Sequence, residues 1–321
     1  MLKNPLMSLT GRLKKFKFIH WAYNLFHYNR LLHNRSAYEK YRINKSLTAS
    51  ISSRDFPDQE PGAWLDRGDS GILAPQKPGF IEFSSEIRQQ LLTWSSNGYL
   101  IIPKFLDEAQ VSQINIEIEN LINKGRLPLT HDHKYLEANR HSDLIDGLTK
   151  NRAITGLLSF ILDREVSPFQ TLNFLRGSQQ RAHSDSIHMT TYPLGYLIAA
   201  WIALEDTNPD NGPLFYYPGS HRLPYLLNHD FNEGGSLLTL GKKDYTDYED
   251  AIEHLIAEKQ LERKVFIARK GDLLIWHANL IHGGLAVRNP VLTRKSMVIH
   301  YFAKGVIKYH EITERPSLMA E

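Results

Sequence analysis

Six short β-rich runs, separated by Gly, Pro and Asn turns, dominate the chain from residue 170 onward. They combine β-branched, aromatic and aliphatic residues and span 171–175, 196–204, 214–217, 265–268, 272–276 and 295–302. Helical periodicity precedes them over 85–97, 107–124 and 142–162, with a short strand at 99–102. This order predicts a mainly β fold with flanking helices, in which a barrel or a double-sheet jelly roll is packed by α-helices.

The chain divides into three predicted segments. Residues 1–84 combine a basic amphipathic arm with a turn-rich connector, 85–305 hold the barrel domain, and 306–321 form a C-terminal tail. Within the barrel domain, residues 222–264 are a long polar insertion with a predicted helix at 248–261. An insertion of this length at a barrel mouth is expected to act as a lid.

Composition limits the chemistry that the chain can perform. None of the 321 residues is cysteine, which excludes disulfides, thiolate metal sites and a cysteine nucleophile. A fold of this kind needs no oxidising compartment. Residues 1–38 contain seven basic residues and no acid, while the whole chain has a net charge of +3, so the remainder is mildly acidic. We therefore expect a cytoplasmic protein, with peripheral binding at the inner face of the membrane as an additional expectation.

The basic arm carries an apolar stripe at helical spacing, formed by Phe18, Trp21, Leu25, Tyr28 and Leu32. No run approaches the roughly 18 apolar residues of a membrane span, and no signal-peptide cleavage pattern follows. Basic and aromatic residues together favour peripheral membrane contact through residues 11–35. Packing on its own barrel or on a second subunit is the alternative, and the oligomeric state stays open. No nucleic-acid partner is expected, because the arm lacks a binding-module motif.

Two segments about a hundred residues apart supply the candidate metal ligands. His183 and Asp185 are spaced to share one face of a strand, and His282 lies between two later strands. Two imidazoles and one carboxylate can hold one face of a ferrous ion and leave the other face open. His277 is a rival for the distal histidine.

Two other histidine clusters compete for this role. A second His-Ser-Asp tripeptide, at His141 to Asp143, precedes a helical pattern and suits an N-cap instead. The His131-Asp-His133 cluster has no predicted barrel around it. We therefore interpret neither cluster as the metal site.

In order along the chain, several motifs resemble the phytanoyl-CoA dioxygenase family, iron(II)- and 2-oxoglutarate-dependent oxygenases. They are His183-Ser-Asp185, Trp201-Ile-Ala-Leu-Glu-Asp206, Asn211-Gly-Pro-Leu214, Pro218-Gly-Ser-His221, Gly271-Asp-Leu-Leu274, His282-Gly283 and Arg294. The segment Asn97-Gly-Tyr-Leu-Ile-Ile-Pro-Lys-Phe-Leu106 adds to the resemblance, which covers about residues 85–305.

The resemblance implies a double-stranded β-helix (jelly-roll, cupin-like) core packed by α-helices, and it implies roles for particular residues. His183, Asp185 and His282 should bind iron(II), and Arg294 should pair with the distal carboxylate of 2-oxoglutarate, a task suited to a planar cationic fork. Trp201 matches a residue that lines the cosubstrate pocket, and Gln180 and Asn173 are expected to add amide hydrogen bonds. Many members place Ser or Thr two residues after the distal histidine. Here that residue is Gly284, so Thr293 or Ser296 is expected to substitute.

The resemblance also implies a reaction. Iron(II), 2-oxoglutarate and O2 should hydroxylate an unactivated C–H of a small-molecule or lipid-linked substrate, with decarboxylation of 2-oxoglutarate to succinate and CO2. Desaturation or cyclisation at the same centre is an alternative that the sequence does not separate. A cupin-like metal-binding protein without 2-oxoglutarate chemistry and a non-catalytic scaffold are further alternatives. Arg294 and the intact triad argue against both of these.

Overall fold

The computed structural model describes residues 15–56, 62–130, 134–231, 236, 238–241 and 244–319. The cluster His131-Asp-His133 lies outside these residues. In the described part of the chain the helices are α1 (Lys17–Phe26), α2 (Tyr28–Leu31), α3 (Asn34–Lys40), α4 (Ser70–Gln76), α5 (Ser85–Leu91), α6 (Trp94–Asn97), α7 (Glu108–Asn123), α8 (Asp143–Thr149), α9 (Arg152–Leu162), α10 (Asn228–Phe231) and α11 (Tyr245–Glu258). None of these helices has the length and apolar character that crossing a bilayer requires.

Local side-chain bonds set the ends of the predicted helices. Asp107 caps α7 by accepting from Gln110 N at 2.8 Å. The predicted helix 142–162 is two helices, because the Asn151 side chain accepts from Ala153 N at 2.9 Å and starts α9 afresh. The predicted helix 85–97 is likewise divided into α5 and α6.

Strands in the same part of the chain are β1 (Tyr99–Ile102), β2 (Tyr135–Leu136), β3 (Val166–Phe174), β4 (Thr190–Tyr192), β5 (Leu197–Ala203), β6 (Leu214–Tyr216), β7 (Lys264–Phe266), β8 (Leu273–His277), β9 (His282–Gly284), β10 (Ser296–Ala303), β11 (Ile307–His310) and β12 (Arg315–Pro316). One antiparallel sheet has the order β1-β8-β5-β10-β3-β2. Two smaller sheets have the orders β12-β11-β4 and β7-β6-β9. The strand predictions are confirmed to within a few residues, except that β3 begins at Val166 rather than at 171.

The large sheet is buried on both faces, and the alternation of its side chains separates two cores. Ile198, Ile275 and Ile299 point to the face that α7 and α9 cover. Trp201, Trp276 and Val298 point to the other face, where they pack against residues of β6 and β7. The second face therefore looks into the space between the sheets, where a cavity opens.

The predicted tail after residue 305 is part of the fold. Ile307 pairs with Tyr192 and Tyr309 with Thr190, so β11 adds to β4 rather than leaving the domain. The arm packs here too, since Leu31 and Tyr38 share a small core with Tyr192 and Ile307. The later part of the arm and the C-terminal strands thus pack together at the same small sheet.

Candidate metal centre

A reciprocal backbone pair fixes the two histidines of the candidate centre. His183 N donates to His282 O at 2.9 Å, and His282 N donates to His183 O at the same distance. Directly paired residues on antiparallel strands project their side chains to the same side. The two imidazole rings accordingly lie 4.5 Å apart, centroid to centroid.

Hydrogen bonds from the rings leave the correct nitrogens available. His183 Nδ1 lies 2.8 Å from Arg181 O, and His282 Nδ1 lies 2.9 Å from Leu280 O. Because a carbonyl only accepts, Nδ1 carries the proton in each ring and Nε2 keeps its lone pair. Burial lowers the pKa of His183 well below its usual range, and the neighbouring His282 lowers it further, which favours the neutral, metal-binding form.

Asp185 completes the group. Its Oδ1 lies 4.0 Å from His183 Nε2 and 3.8 Å from His282 Nε2, and all three side chains are buried. One ligand atom from each lies within 4.8 Å of the others, a spacing that a metal ion can bridge. Asp185 lies on a 3-10 turn rather than a strand. The prediction that His183 and Asp185 share one face of a strand is therefore wrong, although their side chains do converge.

The outer oxygen of Asp185 faces two further side chains. Trp276 Nε1 donates to Asp185 Oδ2 at 2.9 Å, and His300 Nε2 lies 3.4 Å from the same oxygen. Burial alone would raise the pKa of the Asp185 carboxyl, yet the imidazoles of His282, His300 and His183 outweigh it and lower that pKa below the usual range. The carboxylate stays ionised, with Oδ1 facing the histidines. A neutral-nitrogen and carboxylate set of this kind suits ferrous iron.

Arg294 brings a buried cation to the same cavity. Its side chain is 2% exposed, and its Cζ lies 5.7 Å from the Trp201 ring centre and 5.8 Å from that of Phe174. Burial lowers the pKa of Arg294 to about 10, against the opposing effect of Glu205. Within the described residues its Nε has no hydrogen-bond partner. Because a buried unpaired charge is costly, this guanidinium is suited to an anionic ligand such as a carboxylate.

The cavity between the sheets has a volume of about 1200 Å³. His183, Asp185, His282, Arg294, Trp201 and Gln180 all line it. Ligand pockets commonly measure about 300–1,000 Å³, so there is room for a small dicarboxylate and a substrate together. The residues present therefore fit both a metal ion and an anionic cosubstrate.

The remaining predicted cosubstrate residues lie in different places. Asn173 is opposite Met297 and points to the helix-covered face, with its Nδ2 donating to Tyr135 O at 3.5 Å. This placement corrects the prediction for Asn173. Thr293 is next to Arg294, but its hydroxyl donates to Glu205 Oε2 at 2.8 Å and so is directed at that carboxylate. Ser296 is fully buried and shares the strand face of Val298.

Gly284 has a steric explanation. A Cβ built at Gly284 would lie 2.5 Å from Ser178 Oγ, closer than real Cβ contacts come. Ser178 lines the cavity, so its hydroxyl lies close to where a side chain at residue 284 would begin. The chain therefore carries a hydroxyl at this place from a different element, which the sequence analysis missed.

The insertion places α11 against the segment that carries two of the three candidate metal ligands. Tyr248 OH accepts from Ser184 N at 3.1 Å, and Gln180 Nε2 donates to Tyr245 OH at 3.2 Å. Arg181 Nε donates to Glu253 Oε1 at 2.9 Å, and its Nη2 donates to Asp250 at 2.6 Å. Both tyrosines and the two acids belong to α11, which thus contacts the chain immediately before and after His183.

Sequence reasoning missed Trp276, His300, Lys134 and Tyr248 as site residues. Lys134 lines the cavity and donates from Nζ to Gln180 Oε1 at 3.2 Å. Strand alternation from Arg294 would have indicated His300, which lies six residues further on and on the face of Val298. Trp276 shares its face with Leu274 in the Gly-Asp-Leu-Leu motif. Nothing in the sequence signals Tyr248.

The competing histidines lie elsewhere. His277 Nε2 is 3.0 Å from Asp66 Oδ2, and its Nδ1 accepts from Asn279 N at 3.0 Å, so both nitrogens are engaged away from the triad. Ser142 caps α8, accepting from Ile145 N at 3.4 Å, as predicted.

Comparisons with known proteins agree with this geometry. The model of the phytanoyl-CoA dioxygenase (PhyH) family matches residues 94–296. Peroxisomal phytanoyl-CoA dioxygenase from Bos taurus is 24% identical over 310 residues, covering 84% of this chain and 86% of that relative. Phytanoyl-CoA dioxygenase domain-containing protein 1 from Rattus norvegicus is 25% identical over 213 residues, covering 63% and 67%.

Solved structures share the fold. The non-heme α-ketoglutarate-dependent carbocyclase SnoK from nogalamycin biosynthesis has a TM-score of 0.58 at 18% identity, covering 74% of this chain and 89% of its own. EctD from S. alaskensis, crystallised with 2-oxoglutarate and 5-hydroxyectoine, has a TM-score of 0.56 at 19% identity, covering 79% and 86%. The mainly β, cupin-like fold predicted from the sequence is confirmed. Since the family model matches more than half of its residues, the chain belongs to the phytanoyl-CoA dioxygenase family.

Proposed function

We propose that the protein is an iron(II)- and 2-oxoglutarate-dependent dioxygenase that hydroxylates an unactivated C–H of a small-molecule or lipid-linked substrate. One observation carries the proposal: three buried metal-binding side chains and one buried arginine converge on a single cavity. The structural neighbour EctD was crystallised with iron and, separately, with 2-oxoglutarate, which supports the same pair of groups here.

When bound, iron and 2-oxoglutarate together with O2 supply decarboxylation to succinate and CO2 and oxidation of a substrate carbon. The protein's own residues position these groups. His183 Nε2, His282 Nε2 and Asp185 Oδ1 would hold the ion, and the carbonyls of Arg181 and Leu280 fix the two rings in the required tautomer. Trp276 keeps the Asp185 carboxylate from rotating.

Arg294 would receive the distal carboxylate of 2-oxoglutarate. Its guanidinium can donate two parallel hydrogen bonds to one carboxylate, and burial strengthens such charge-assisted bonds. Phe174 and Trp201 flank the guanidinium and exclude water from it. We further propose that Ser178, Ser296 and Gln180 supply polar contacts around the cosubstrate, and that Thr293 acts indirectly through Glu205.

Helix α11 is proposed to be the lid predicted from the insertion. Tyr245 and Glu249 of this helix line the cavity, and Tyr248 holds the backbone of Ser184 next to two metal ligands. A lid with these contacts would exclude water and keep His183 and Asp185 in place during turnover.

The cavity walls support the proposed substrate class. Phe169, Met189 and Phe302 give the wall an apolar stretch beside the triad. Lys134 and Arg315 are basic side chains that line the same cavity. A substrate with an apolar body and a polar or anionic end would match this distribution.

Other outcomes at the same centre are the main alternative. The structural neighbour SnoK is described as a carbocyclase, so cyclisation, like desaturation, is compatible with this fold. Mass spectrometry separates them, since hydroxylation adds one oxygen atom to the substrate, whereas desaturation or ring closure removes two hydrogen atoms. A cupin-like protein without 2-oxoglutarate chemistry is less favoured, because it would have no anion for the buried Arg294.

The proposal is tested by anaerobic titration of the metal-free protein with iron(II) and 2-oxoglutarate. We expect a weak visible charge-transfer band that needs both additions. The band should disappear in His183→Ala and weaken sharply in Arg294→Ala, because one loses a metal ligand and the other the carboxylate partner.

Two variants serve as matched controls. His141→Ala alters the other His-Ser-Asp tripeptide, and Arg176→Ala removes an exposed arginine whose Nη1 donates to Pro290 O. Both should keep the band. Metal binding without any band in the presence of 2-oxoglutarate would contradict the proposal and favour the cupin-like alternative.

A further inference from the structure

Helix α1 buries polar side chains and exposes apolar ones. Its buried residues are His20 and Asn24, which are 6% and 2% exposed, and Asn24 Nδ2 donates to Thr48 O at 3.0 Å. The stripe predicted from the sequence points the other way. Its members are between 38% and 68% exposed: Phe18, Trp21, Leu25, Tyr28 and Leu32. Packing of this stripe on the barrel, one of the two alternatives, is therefore not what the structure shows.

The exposed apolar side chains are concentrated in this segment. Nine of the eighteen large apolar side chains exposed in the described part of the chain fall between residues 16 and 32. Phe26 is 88% exposed, and Phe18 stacks on Trp21 at 5.7 Å, which joins them into one surface patch. Contiguous exposed apolar surface of this kind marks an interaction site rather than ordinary protein surface. We define the arm patch as Phe16, Phe18, Ile19, Trp21, Tyr23, Leu25, Phe26, Tyr28 and Leu32.

The sequence around the arm patch is rich in basic residues. Residues 1–38 contain seven basic residues and no acid. Lys17 pairs with Glu314 at 2.6 Å and so contributes little, whereas Arg30 and Arg35 are exposed beside the patch. Aromatic side chains flanked by exposed cations match the interfacial region of a bilayer with anionic headgroups, because the rings enter the headgroup layer while the cations meet the phosphates.

The arm patch adjoins the cavity: Tyr23 belongs to the patch, lines the cavity and is 44% exposed, so the cavity opens to solvent here. Tyr23, Asn24 and Arg30 line the same cavity as the metal triad. The arm therefore has one side on the cavity and another on solvent. A flat anionic surface that covered the patch would lie next to the opening.

We propose that the arm patch docks on an anionic lipid bilayer and turns the opening of the cavity toward it. The docking proposal rests only on the exposed apolar side chains and the cations beside them. The corollary, that an amphiphilic substrate enters from the bilayer, rests on the proposed function. The occupant is lipid rather than a protein, since the patch combines exposed rings with cations and lacks an acidic residue.

The experiment is flotation of the full-length protein with vesicles of phosphatidylcholine alone or with about one third phosphatidylglycerol. We expect at least about tenfold stronger binding to the anionic vesicles. A triple variant, Phe18→Ser, Leu25→Ser and Phe26→Ser, should reduce that binding at least tenfold, and these side chains are exposed enough to leave folding intact. A matched triple variant elsewhere, Ile72→Ser, Ile81→Ser and Val291→Ser, removes side chains of similar exposure and should bind like the wild type.

Sedimentation velocity of the same proteins without vesicles tests the alternative that the arm patch binds a second copy of the chain. Absence of vesicle binding, or equal binding by both triple variants, would overturn the proposal. A dimer that only the arm-patch variant loses, without vesicle binding, would overturn it too and assign the patch to a second copy. None of these readouts needs iron or 2-oxoglutarate, so a failure of the proposed chemistry would leave the docking result unaffected, and the reverse.

Discussion

The same tripeptide, His-Ser-Asp, occurs twice in this chain and performs two different tasks. At His141 to Asp143 the histidine is exposed and the serine caps α8. At His183 to Asp185 both outer residues are buried, the serine bonds to a helix of the insertion, and the outer side chains converge with His282. Identical residues at identical spacing therefore carry no metal-binding property by themselves.

Backbone context accounts for the difference. His183 exchanges two backbone hydrogen bonds with His282, which brings a third ligand from a hundred residues away to the same side. The backbone N–H of His141 instead donates to Ala138 O in a turn that leads into a helix. In this chain the third candidate ligand comes from a strand partner distant in sequence, which a local motif search cannot detect.

The largest expected effect is on iron affinity when each histidine is removed. His183→Ala should weaken iron(II) binding by more than about 100-fold. Removing a residue that only supports a metal ligand typically lowers metal affinity 10–100-fold, and losing the ligand itself should cost more. His141→Ala should change affinity less than twofold. Anaerobic calorimetric titration checks both values. Equal losses of iron affinity in the two variants would contradict this prediction, because the two tripeptides would then contribute equally to iron binding.

The next effect concerns the support that only the second tripeptide has. Trp276→Phe removes the indole N–H that donates to Asp185 Oδ2, and it should weaken iron(II) binding about 10–100-fold while the fold persists. Trp64→Phe is the matched control, because its indole N–H donates to Phe160 O on the helix-covered side. That control should lose stability but keep iron affinity. Unchanged affinity in Trp276→Phe would show that Asp185 needs no such support.

Acid should destabilise the protein by protonating histidines that, in contrast to the exposed His141, are buried in the folded state. Burial is the main cause that lowers the pKa of His221 and of His310 to about 3, below the usual 6.5. The unfolded chain then binds more protons than the folded one between about pH 3 and 6.5. The contribution of each histidine to the free energy of unfolding is therefore complete above pH 6.5. It falls by about 1.4 kcal/mol per pH unit as the pH drops below that value.

Urea unfolding at pH 7.5, 6.0 and 5.0 measures this slope. His310→Asn should reduce the slope between pH 6.0 and 5.0 relative to the wild type, since one depressed group is removed. His141→Asn should leave it unchanged. A slope that is insensitive to His310 would contradict the assignment of acid sensitivity to buried imidazoles.

The smallest effect separates the two serines. Ser142→Ala removes the N-cap of α8 and should lower the free energy of unfolding by about 0.5–1 kcal/mol without altering iron binding. Ser184→Ala removes a hydroxyl that bonds to Tyr248 OH at 3.0 Å, so it should instead loosen α11. Hydrogen exchange of α11 is the readout that tells the two apart. Faster exchange in Ser142→Ala alone would reverse the interpretation.

Strand positions and the three candidate ligands could be predicted from the sequence because they depend on local patterns. The runs 196–204 and 295–302 contain β5 and β10 almost to the residue. The roles of Trp276 and His300 depend on which strands pair and in what register, and alternation from Arg294 indicates only the strand face on which His300 lies. Asn173 fails for the same reason, since a shift of one residue along β3 moves its side chain to the opposite face.

The arm shows a different limit. Its periodicity correctly indicated one apolar face, but periodicity does not tell whether that face points to the barrel or to solvent. His20 and Asn24 decide this, because Asn24 anchors the helix through a hydrogen bond to a connector carbonyl. A polar contact between residues 24 and 48 leaves no periodic signal in the sequence.

The most direct test of the account is an anomalous-diffraction structure of the protein crystallised with iron(II) and 2-oxoglutarate without oxygen. We predict one anomalous peak within bonding distance of His183 Nε2, His282 Nε2 and Asp185 Oδ1, with the distal carboxylate of 2-oxoglutarate on Arg294. A peak at His141 and Asp143, no peak at the triad, or a cosubstrate that leaves Arg294 without a partner would contradict it.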